Sequence, residues 1–474
     1  MDYQTYYSSY PSPPPAKVHD PVAVAVANAS LLSVGYLMLG RRRLAVVTFV
    51  VTVGLLAVLV TALPTVWFEF LVLLWWAAMI AHGWRLAGGR VTVAQQRVVA
   101  LVVTVPVLVA FGLLRFDAAR IDQTVADAKQ SGNCPQALTA LDGVWLGDRL
   151  ADAPSTAAGD RTVEACQRIQ LAKSRFGTGL SGDNTALTAA FDGLGSVLTD
   201  LPGHEKMVDV ALDGFLTGLP TKDPCHTAAI TDWLKQRKAT HNTLDRSAAV
   251  VPKVAPDALV GCGDTLMSSN DWETAKKRYQ QLLDQYPGNA LAAKAQDGVT
   301  KATQAIELAN VRRLLQGSTD TQPEYCKTPA QYSAAPPYND HGLNRALVYG
   351  TDEYMNQLPG EWRSTDPADA VAVVCAGDKT MGTVVETCPY APETGIFSDV
   401  PTDVHFHRIA IPVKVYELRT GRLVTDRTIE IGGGSCPEHI SYSSFLSDAT
   451  PPGDMYVTSS PADVQSAFAT VISP

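Results

Sequence analysis

The feature that most constrains this chain is a run of twenty residues without a charge, Leu44 to Leu63. An α-helix needs about 20 predominantly apolar residues to cross the hydrocarbon core of a bilayer. Pro64 follows the run directly, and proline breaks a helix because it lacks a backbone N–H and clashes with the preceding turn. The segment therefore predicts a membrane protein.

Two more apolar runs, at about 66–84 and 98–115, are predicted to span the membrane beside the run at about 44–63. The first of these two carries four tryptophans, which are typical of the membrane surface. The second holds Pro106, which a membrane helix tolerates when neighbouring helices satisfy the freed carbonyl. A helix over 117–130 is predicted to continue out of the membrane.

The apolar run at about 22–40 is weaker, because Asn28, Ser30 and Ser33 interrupt it. Two interpretations of this run are open. It is either a fourth spanning helix or an interfacial or re-entrant helix. The predicted membrane domain, residues 21–116, is therefore a bundle of three or four helices.

Arginines predict how the membrane domain is oriented. Arg41–Arg43 follow the first run, and Arg85, Arg90 and Arg97 surround the loop between the third and fourth runs. Cytoplasmic loops carry an excess of Lys and Arg, so both loops are predicted to be cytoplasmic. Residues 117–474 are then extracytoplasmic, and the chain is predicted to be a multi-pass protein of the plasma membrane.

The cysteines provide an independent test of this orientation. There are eight, and none precedes residue 134. They are Cys134, Cys166, Cys225, Cys262, Cys326, Cys375, Cys388 and Cys436. An even number confined to one side of a membrane is typical of disulfides in an oxidising compartment. The alternative is a cytosolic body with eight reduced, buried cysteines.

Charge differs between the two sides of the predicted membrane boundary. The whole chain carries −9 and residues 1–116 carry +5, so residues 117–474 carry −14. An acidic body argues against a nucleic-acid partner and against binding to anionic head groups. Residues 1–20 are rich in Tyr and Pro and are predicted to be a disordered tail, either a spacer or a short polyproline segment for a partner.

Residues 117–317 are predicted to be an extracytoplasmic helical domain, because helix-length apolar patterns alternate there with Gly, Pro and Asp. The clearest unit runs from Pro256 to Asn289. Its predicted packing residues are Leu259, Gly263, Leu266, Ala275, Tyr279, Leu282 and Pro287. Gly and Ala at these positions let two helices approach closely, the tyrosine fills the space toward the next hairpin, and the proline ends the second helix.

This unit resembles a tetratricopeptide repeat, a helical hairpin of 34 residues with the same spacing of small, aromatic and proline positions. One departure is Cys262, where an apolar residue is usual. The whole chain resembles bacterial multi-pass membrane proteins, of the actinobacterial type, with an extracytoplasmic tetratricopeptide-repeat-like region. The resemblance implies stacked hairpins that contact protein partners. The alternative is an irregular helical bundle with one repeat-like hairpin.

Residues 318–474 are predicted to be a disulfide-braced α+β or antiparallel β domain. Strands are predicted at 368–375 and 383–390, as partners, and at 406–418 and 423–431, as a hairpin. A short helix is predicted over 461–472, with Ser460 as its N-cap.

Disulfide pairing is predicted between neighbouring elements. In the helical domain we expect Cys134–Cys166 and Cys225–Cys262, and in the β domain Cys375–Cys388 and Cys326–Cys436. Spacing alone does not determine the connectivity, since eight cysteines allow 105 pairings.

No motif of a known chemistry is visible, and the chain is predicted not to be an enzyme and to hold no metal or cofactor. His405 and His407 share one face of a predicted strand but have no third ligand. The glycines of 432–435 are predicted to be a flexible turn. Glu69 in the third apolar run is interpreted as an interfacial residue, with a proton or ion relay as the alternative.

The first hypothesis for function is an envelope scaffold or adaptor that mediates protein–protein contacts. The alternative is an envelope sensor or ligand-binding protein that uses the C-terminal β domain. A transport component is a third hypothesis. The predicted partners are the lipid bilayer and proteins that bind the helical repeat region.

Overall fold

A computed structural model describes residues 19–89, 92–316, 322–391, 400–442 and 451–474 of the chain. Contacts divide the chain into two compact units, Met1–Ala255 and Pro256–Pro474. The predicted tail over 1–20 lies outside the described residues except for its last two. The predicted boundaries at 116 and 317 follow composition and stay a prediction.

Three helices of the described residues are long and apolar enough to cross a membrane. They are α3 (Arg42–Thr61), α4 (Val66–Ala87) and α5 (Ala94–Ser131), and they confirm the three stronger apolar runs as candidate spans. Helix α5 has 38 residues, so its length is about 57 Å at 1.5 Å per residue. It includes the helix that was predicted to continue out of the membrane.

The interpretation of the first apolar run as a fourth spanning helix is wrong. The run forms two short helices, α1 (Pro21–Ala29) and α2 (Val34–Met38), of 9 and 5 residues. The longer of them extends about 14 Å, whereas the hydrocarbon core is about 30 Å thick. Between these two helices the backbone is not helical, and Leu31 and Ser33 both have positive φ. The polar residues that interrupt this apolar run thus coincide with a break between two short helices, which agrees with the interpretation as a re-entrant segment.

The first unit continues beyond α5 as a helical region. Its helices are α6 (Cys134–Leu141), α7 (Leu146–Ala151), α8 (Ala153–Gly179), α9 (Asn184–Asp200), α10 (Glu205–Leu216) and α11 (Pro224–Gln236), followed by a 3-10 helix, Thr243–Val250. Phe176, Phe191 and Phe215 pack together in its core with ring centroids 4.4–5.9 Å apart. Helices α6 and α8 both pack against α5.

A helical hairpin forms where the repeat-like unit was predicted. Helix α12 (Val251–Ser268) is followed by α13 (Trp272–Gln285) and α14 (Ala292–Leu315). The predicted packing residues Leu259, Ala275, Tyr279 and Leu282 are buried, and so is Gly263. Leu266 is half-buried and Pro287 is exposed. Stacking of several such hairpins is not confirmed, and the tetratricopeptide-repeat identity stays a prediction.

The ring of Tyr279 requires glycine at two neighbouring positions. The Tyr279 ring lies against Gly263 of α12 and Gly298 of α14, where a methyl group at either position would meet the ring. The Tyr279 hydroxyl donates a hydrogen bond of 2.7 Å to Asp264 Oδ1. Burial and the neighbouring carboxylate of Asp264 raise the pKa of Tyr279.

The C-terminal part of the second unit contains a mixed sheet built around one long strand. The strands are β1 (Ala346–Tyr349), β2 (Ala372–Ala376), β3 (Thr380–Tyr390), β4 (Thr402–Glu417), β5 (Leu423–Ile431) and β6 (Asp454–Tyr456). Short helices lie at α15 (Asp352–Met355) and α16 (Pro461–Ile472), and 3-10 turns at Glu324–Cys326 and Pro367–Asp369. Strand order is β1-β2-β4-β3, with β5 and β6 also paired to β4.

The predicted β4–β5 hairpin and the helix α16 are confirmed, with Ser460 accepting a hydrogen bond from the Asp463 backbone at the N-cap. The predicted partnership of the strands near 368–375 and 383–390 is wrong. Strands β2 and β3 do not pair with each other; each pairs antiparallel with β4. The β1–β2 and β4–β6 pairs are parallel, so the sheet is mixed rather than antiparallel.

Three disulfides are defined by geometry: Cys134–Cys166, Cys326–Cys375 and Cys388–Cys436. Cys225 and Cys262 are disulfide-bonded as well. The first pairing confirms the prediction that α6 is joined to α8.

The predicted pairs Cys375–Cys388 and Cys326–Cys436 are wrong, and the strand register explains why. Cys375 lies opposite Lys414 of β4, whereas Cys388 lies opposite Val404. These partners are ten positions apart along one strand, which is about 33 Å at 3.3 Å per residue. A disulfide needs Cα atoms within about 7 Å.

Peptide mapping of the oxidised protein tests these assignments. Digestion without reduction should give linked peptides that contain Cys326 with Cys375 and Cys388 with Cys436, and reduction should release them. A reduced and alkylated sample is the control. A linked peptide that joins Cys375 to Cys388 would contradict the register of β2 and β3 on β4.

Candidate functional site at the outer end of the membrane helices

The membrane helices of the first unit have two distinguishable ends. We call the end with Arg41 and Arg97 the inner end, and the opposite end, where α3 meets α4 and α5 continues, the outer end. The disulfide-bonded cysteines all follow the outer end of α5, which indicates an oxidising, extracytoplasmic region there.

Helices α1 and α2 enter the membrane block from the inner end and return to it. Asp20, just before α1, is buried and accepts a 2.6 Å hydrogen bond from Arg97 Nε and a 3.1 Å bond from the Val93 backbone. Arg41, just after α2, directly precedes α3. Since both ends of this segment lie at the inner end, α1 and α2 form a re-entrant segment.

Side chains of the spanning helices satisfy the backbone where the re-entrant segment breaks. Trp76 Nε1 donates to the Ala29 carbonyl at 3.1 Å, and Thr104 Oγ1 donates to the Val26 carbonyl at 2.7 Å. Trp76 lies near the middle of α4, and Thr104 lies in the first third of α5. The break therefore lies between candidate membrane helices, and non-helical backbone inside a membrane is tolerated only when protein buries it.

Asn28 holds the end of α1 against α4. Its Nδ2 donates to the Met79 carbonyl at 3.2 Å, and its side chain is fully buried. Its amide occupies the space beside Gly35 of α2 and Gly83 of α4, so a methyl group at either glycine would overlap with it. Glycine at both positions is what allows a polar side chain to be buried between these helices.

Replacing Gly83 with alanine should destabilise the membrane helices, because the new methyl group displaces Asn28. Overpacking of this kind costs about 1–3 kcal/mol. Thermal unfolding of the detergent-solubilised protein measures the loss. Gly54→Ala is the matched control, because Gly54 on α3 has open space around it. Equal unfolding temperatures for the two variants would contradict the position of Asn28.

At the outer end, one arginine joins three elements. Arg115 of α5 donates to Glu69 Oε1 of α4 at 2.9 Å and to the Ala151 carbonyl of α7 at 2.5 Å. It also lies 3.5 Å from Asp152 Oδ2, between α7 and α8. We call Arg115, Glu69 and Asp152 the outer triad. Glu69 is thus salt-bridged to Arg115, and its interfacial interpretation stays a prediction.

Helix α7 reaches the outer ends of the membrane helices. It contacts α3 directly, and Ala153, the first residue of α8, is buried in a cluster with Leu59 of α3 and Val72 of α4. Trp145 and Leu146, at its start, are 58% and 62% exposed. Exposed tryptophan beside apolar residues is typical of the membrane–water interface. The start of α7 therefore has the composition of a segment at a membrane surface.

A cavity of about 140 Å³ lies below α7, and we call it the outer chamber. The three spanning helices, the end of α1 and the α7–α8 junction all contribute to its wall. The lining residues are Ala29, Leu31, Leu56, Leu59, Glu69, Val72, Leu73, Trp76, Val107, Leu108, Phe111, Leu150, Ala151 and Ala153. Glu69 is the only ionisable residue among them, so the chamber is apolar with a charged rim.

The other residues that the sequence singled out lie elsewhere. His407 on β4 is hydrogen-bonded through both ring nitrogens, to the Gly382 carbonyl at 2.9 Å and to Asp454 Oδ1 at 2.7 Å. These two acceptors raise the pKa of His407. His405 Nδ1 lies 2.9 Å from Thr387 Oγ1. No ligand set forms around the two histidines within the described residues.

The glycine-rich segment 432–435 is ordered rather than a flexible turn. Gly434 exchanges two backbone hydrogen bonds of 2.9 Å with Thr458. Ser435 Oγ donates to Glu386 Oε2 at 2.6 Å.

Sequence reasoning missed the outer triad and the outer chamber. No local pattern connects Arg115 with its partners, because Glu69 and Asp152 are 46 and 37 positions away along the chain. One signal was present: the apolar run Val144–Leu146 includes a tryptophan and lies between Asp142–Gly143 and Gly147–Asp148.

No protein-family model matches this chain, and comparisons with curated proteins and with solved structures also find no match. The resemblance to bacterial envelope proteins with tetratricopeptide repeats therefore stays a prediction.

Proposed function

We propose that this chain is a membrane-anchored scaffold that binds protein partners on the extracytoplasmic face of the cell envelope. The observation that supports the proposal is the continuity of α5, which belongs both to the membrane helices and to the helical region beyond them. A scaffold has to be held at the membrane, and an unbroken helix joins the membrane helices to the outer helices of the first unit without a flexible linker.

The length of α5 determines how far this anchor extends. About 30 Å of its roughly 57 Å is needed for the hydrocarbon core, so about 27 Å remains outside it. Along that outer part, Ala118, Val125 and Ala128 are buried, and α6, α8 and α10 pack against the helix. The outer helices therefore attach directly to the anchor.

The outer triad strengthens this attachment at the membrane boundary. Arg115 joins α5 to α4 and to the α7–α8 junction with charge-assisted hydrogen bonds, which are stronger than neutral ones. The side chains of Glu69 and Asp152 are 25% and 13% exposed. The first outer helices are thereby bonded to two membrane helices at once.

Orientation follows from the arginines and is part of the proposal. With three spans, Arg41–Arg43 and the loop before Arg97 lie in the cytoplasm. The start of α1 also lies on that side, because Asp20 is paired with Arg97. Residues 117–474 then lie outside the plasma membrane.

Helices α13 and α14 together form the partner-binding surface in this proposal. The outward face of α13 carries Glu273, Lys277, Gln280 and Asp284, all exposed and spaced as one helical stripe. Lys294 and Lys301 on α14 are also exposed. A polar, well-ordered surface of this kind suits reversible contacts with a partner that carries complementary charge.

Cross-linking mass spectrometry of the full-length protein in its own membranes tests this function. We expect a partner in near-equal amount, with cross-links concentrated on the exposed lysines of α13 and α14. Lys277→Glu should lower its recovery, because reversing a charge at an interface repels a complementary partner. Lys173→Glu is the matched control, since Lys173 is an exposed lysine of α8.

Recovery of the protein alone or only with itself would contradict the scaffold function. Equal loss of the partner in both lysine variants would contradict the position of the binding surface on α13.

A further inference from the structure

We propose that the outer chamber binds an acyl chain of a phospholipid from the outer leaflet. This inference concerns a binding site for lipid and goes beyond the proposed scaffold function, because it does not depend on any protein partner.

The re-entrant segment is the reason that the outer chamber exists. Helix α1 packs against both α4 and α5, and it ends at Ala29, where Trp76 Nε1 meets its carbonyl. Because α1 has only 9 residues, it fills the gap between α4 and α5 at the inner end and stops near the middle. The remaining gap toward the outer end is the outer chamber.

Membrane depth determines what occupies this gap. The chamber is bounded by α1 below and by the α7–α8 junction above, and its walls come from the middle and outer parts of the spans. Water is unfavourable in a space lined by Leu, Val and aromatic side chains, since it finds too few polar partners there. Acyl chains are the surrounding solvent at this depth.

The chamber is open sideways toward these chains. Leu73 of α4 and Leu108 of α5 both line it, and they are 50% and 45% exposed. A cavity of about 150 Å³ with apolar walls is large enough to bind benzene. The outer chamber, at about 140 Å³, therefore has room for a segment of an acyl chain with about the volume of benzene.

The chamber has an apolar interior and a charged rim at the outer triad, which matches the two parts of an amphiphilic lipid. Glu69 belongs to both the chamber wall and the triad, so the apolar space ends at a charged rim. The exposed Trp145 of the neighbouring segment suits the level of the head groups. A lipid whose chain enters the chamber thus keeps its head group at the level of the polar surface.

The test uses full-length protein in nanodiscs that contain phosphatidylcholine with a photoreactive diazirine in its acyl chain. Labelled peptides are mapped by mass spectrometry, and lipids retained by the detergent-extracted protein are counted by native mass spectrometry. We expect one retained lipid per chain and labelling of the peptide that contains Leu108 and Phe111.

Leu73→Trp should fill the chamber and lower that labelling about tenfold, since excluding even two methylene groups lowers the affinity of a buried chain by about that factor. Leu74→Trp is the matched control, because Leu74 is the adjacent residue of α4, is 56% exposed and does not line the chamber. Leu108→Trp with its neighbour Val109→Trp is a second pair that keeps the test independent of one substitution.

Each outcome decides the proposal. Loss of labelling and of the retained lipid in Leu73→Trp and Leu108→Trp, with both preserved in the neighbouring variants, supports it. Equal labelling in all four variants means that the lipid only surrounds the protein, and it overturns the proposal. So does the absence of a retained lipid in the unchanged protein.

Discussion

The contact of Arg115 with Glu69 and the α7–α8 junction connects the membrane helices of the first unit to the helical region beyond them. It occurs where α5 leaves the membrane helices, and it joins that helix to α4 and to the first outer helices. Because α5 is continuous from Ala94 to Ser131, the helices that pack on its outer part are held in a fixed orientation relative to the membrane helices. One long helix and one arginine thus define how the outer helices of the first unit are anchored.

A second constraint acts from the inner end. The re-entrant segment is too short to span, and its hydrogen bonds to Trp76, Met79 and Thr104 keep it inside the bundle. It separates α4 from α5 only at the inner end, which leaves the outer chamber between them. The polar break in α1–α2 and the apolar chamber are therefore two consequences of one short helix.

The sequence predicted the elements that depend on local pattern, and it failed where distant contacts decide. Length and lack of charge identified α3, and alternation identified the β4–β5 hairpin. Whether the apolar run at about 22–40 forms one helix or two depends on the partner of Asn28, the Met79 carbonyl, which lies 51 positions away. The pairing of Cys375 depended on the register of β2 and β3 along β4. Neither the triad nor the chamber was visible in the sequence, because each combines residues from several elements.

The most direct test of the anchoring account is a distance measurement along α5. Spin labels at Gln95 and Gln123, introduced through a keto-bearing side chain so that the cysteines stay paired, lie 28 residues apart on this helix. Double electron–electron resonance in nanodiscs should give one narrow distance distribution near about 42 Å, the length of 28 helical residues. A broad or bimodal distribution would show that α5 breaks at Pro106 or at the membrane surface, and would contradict the account.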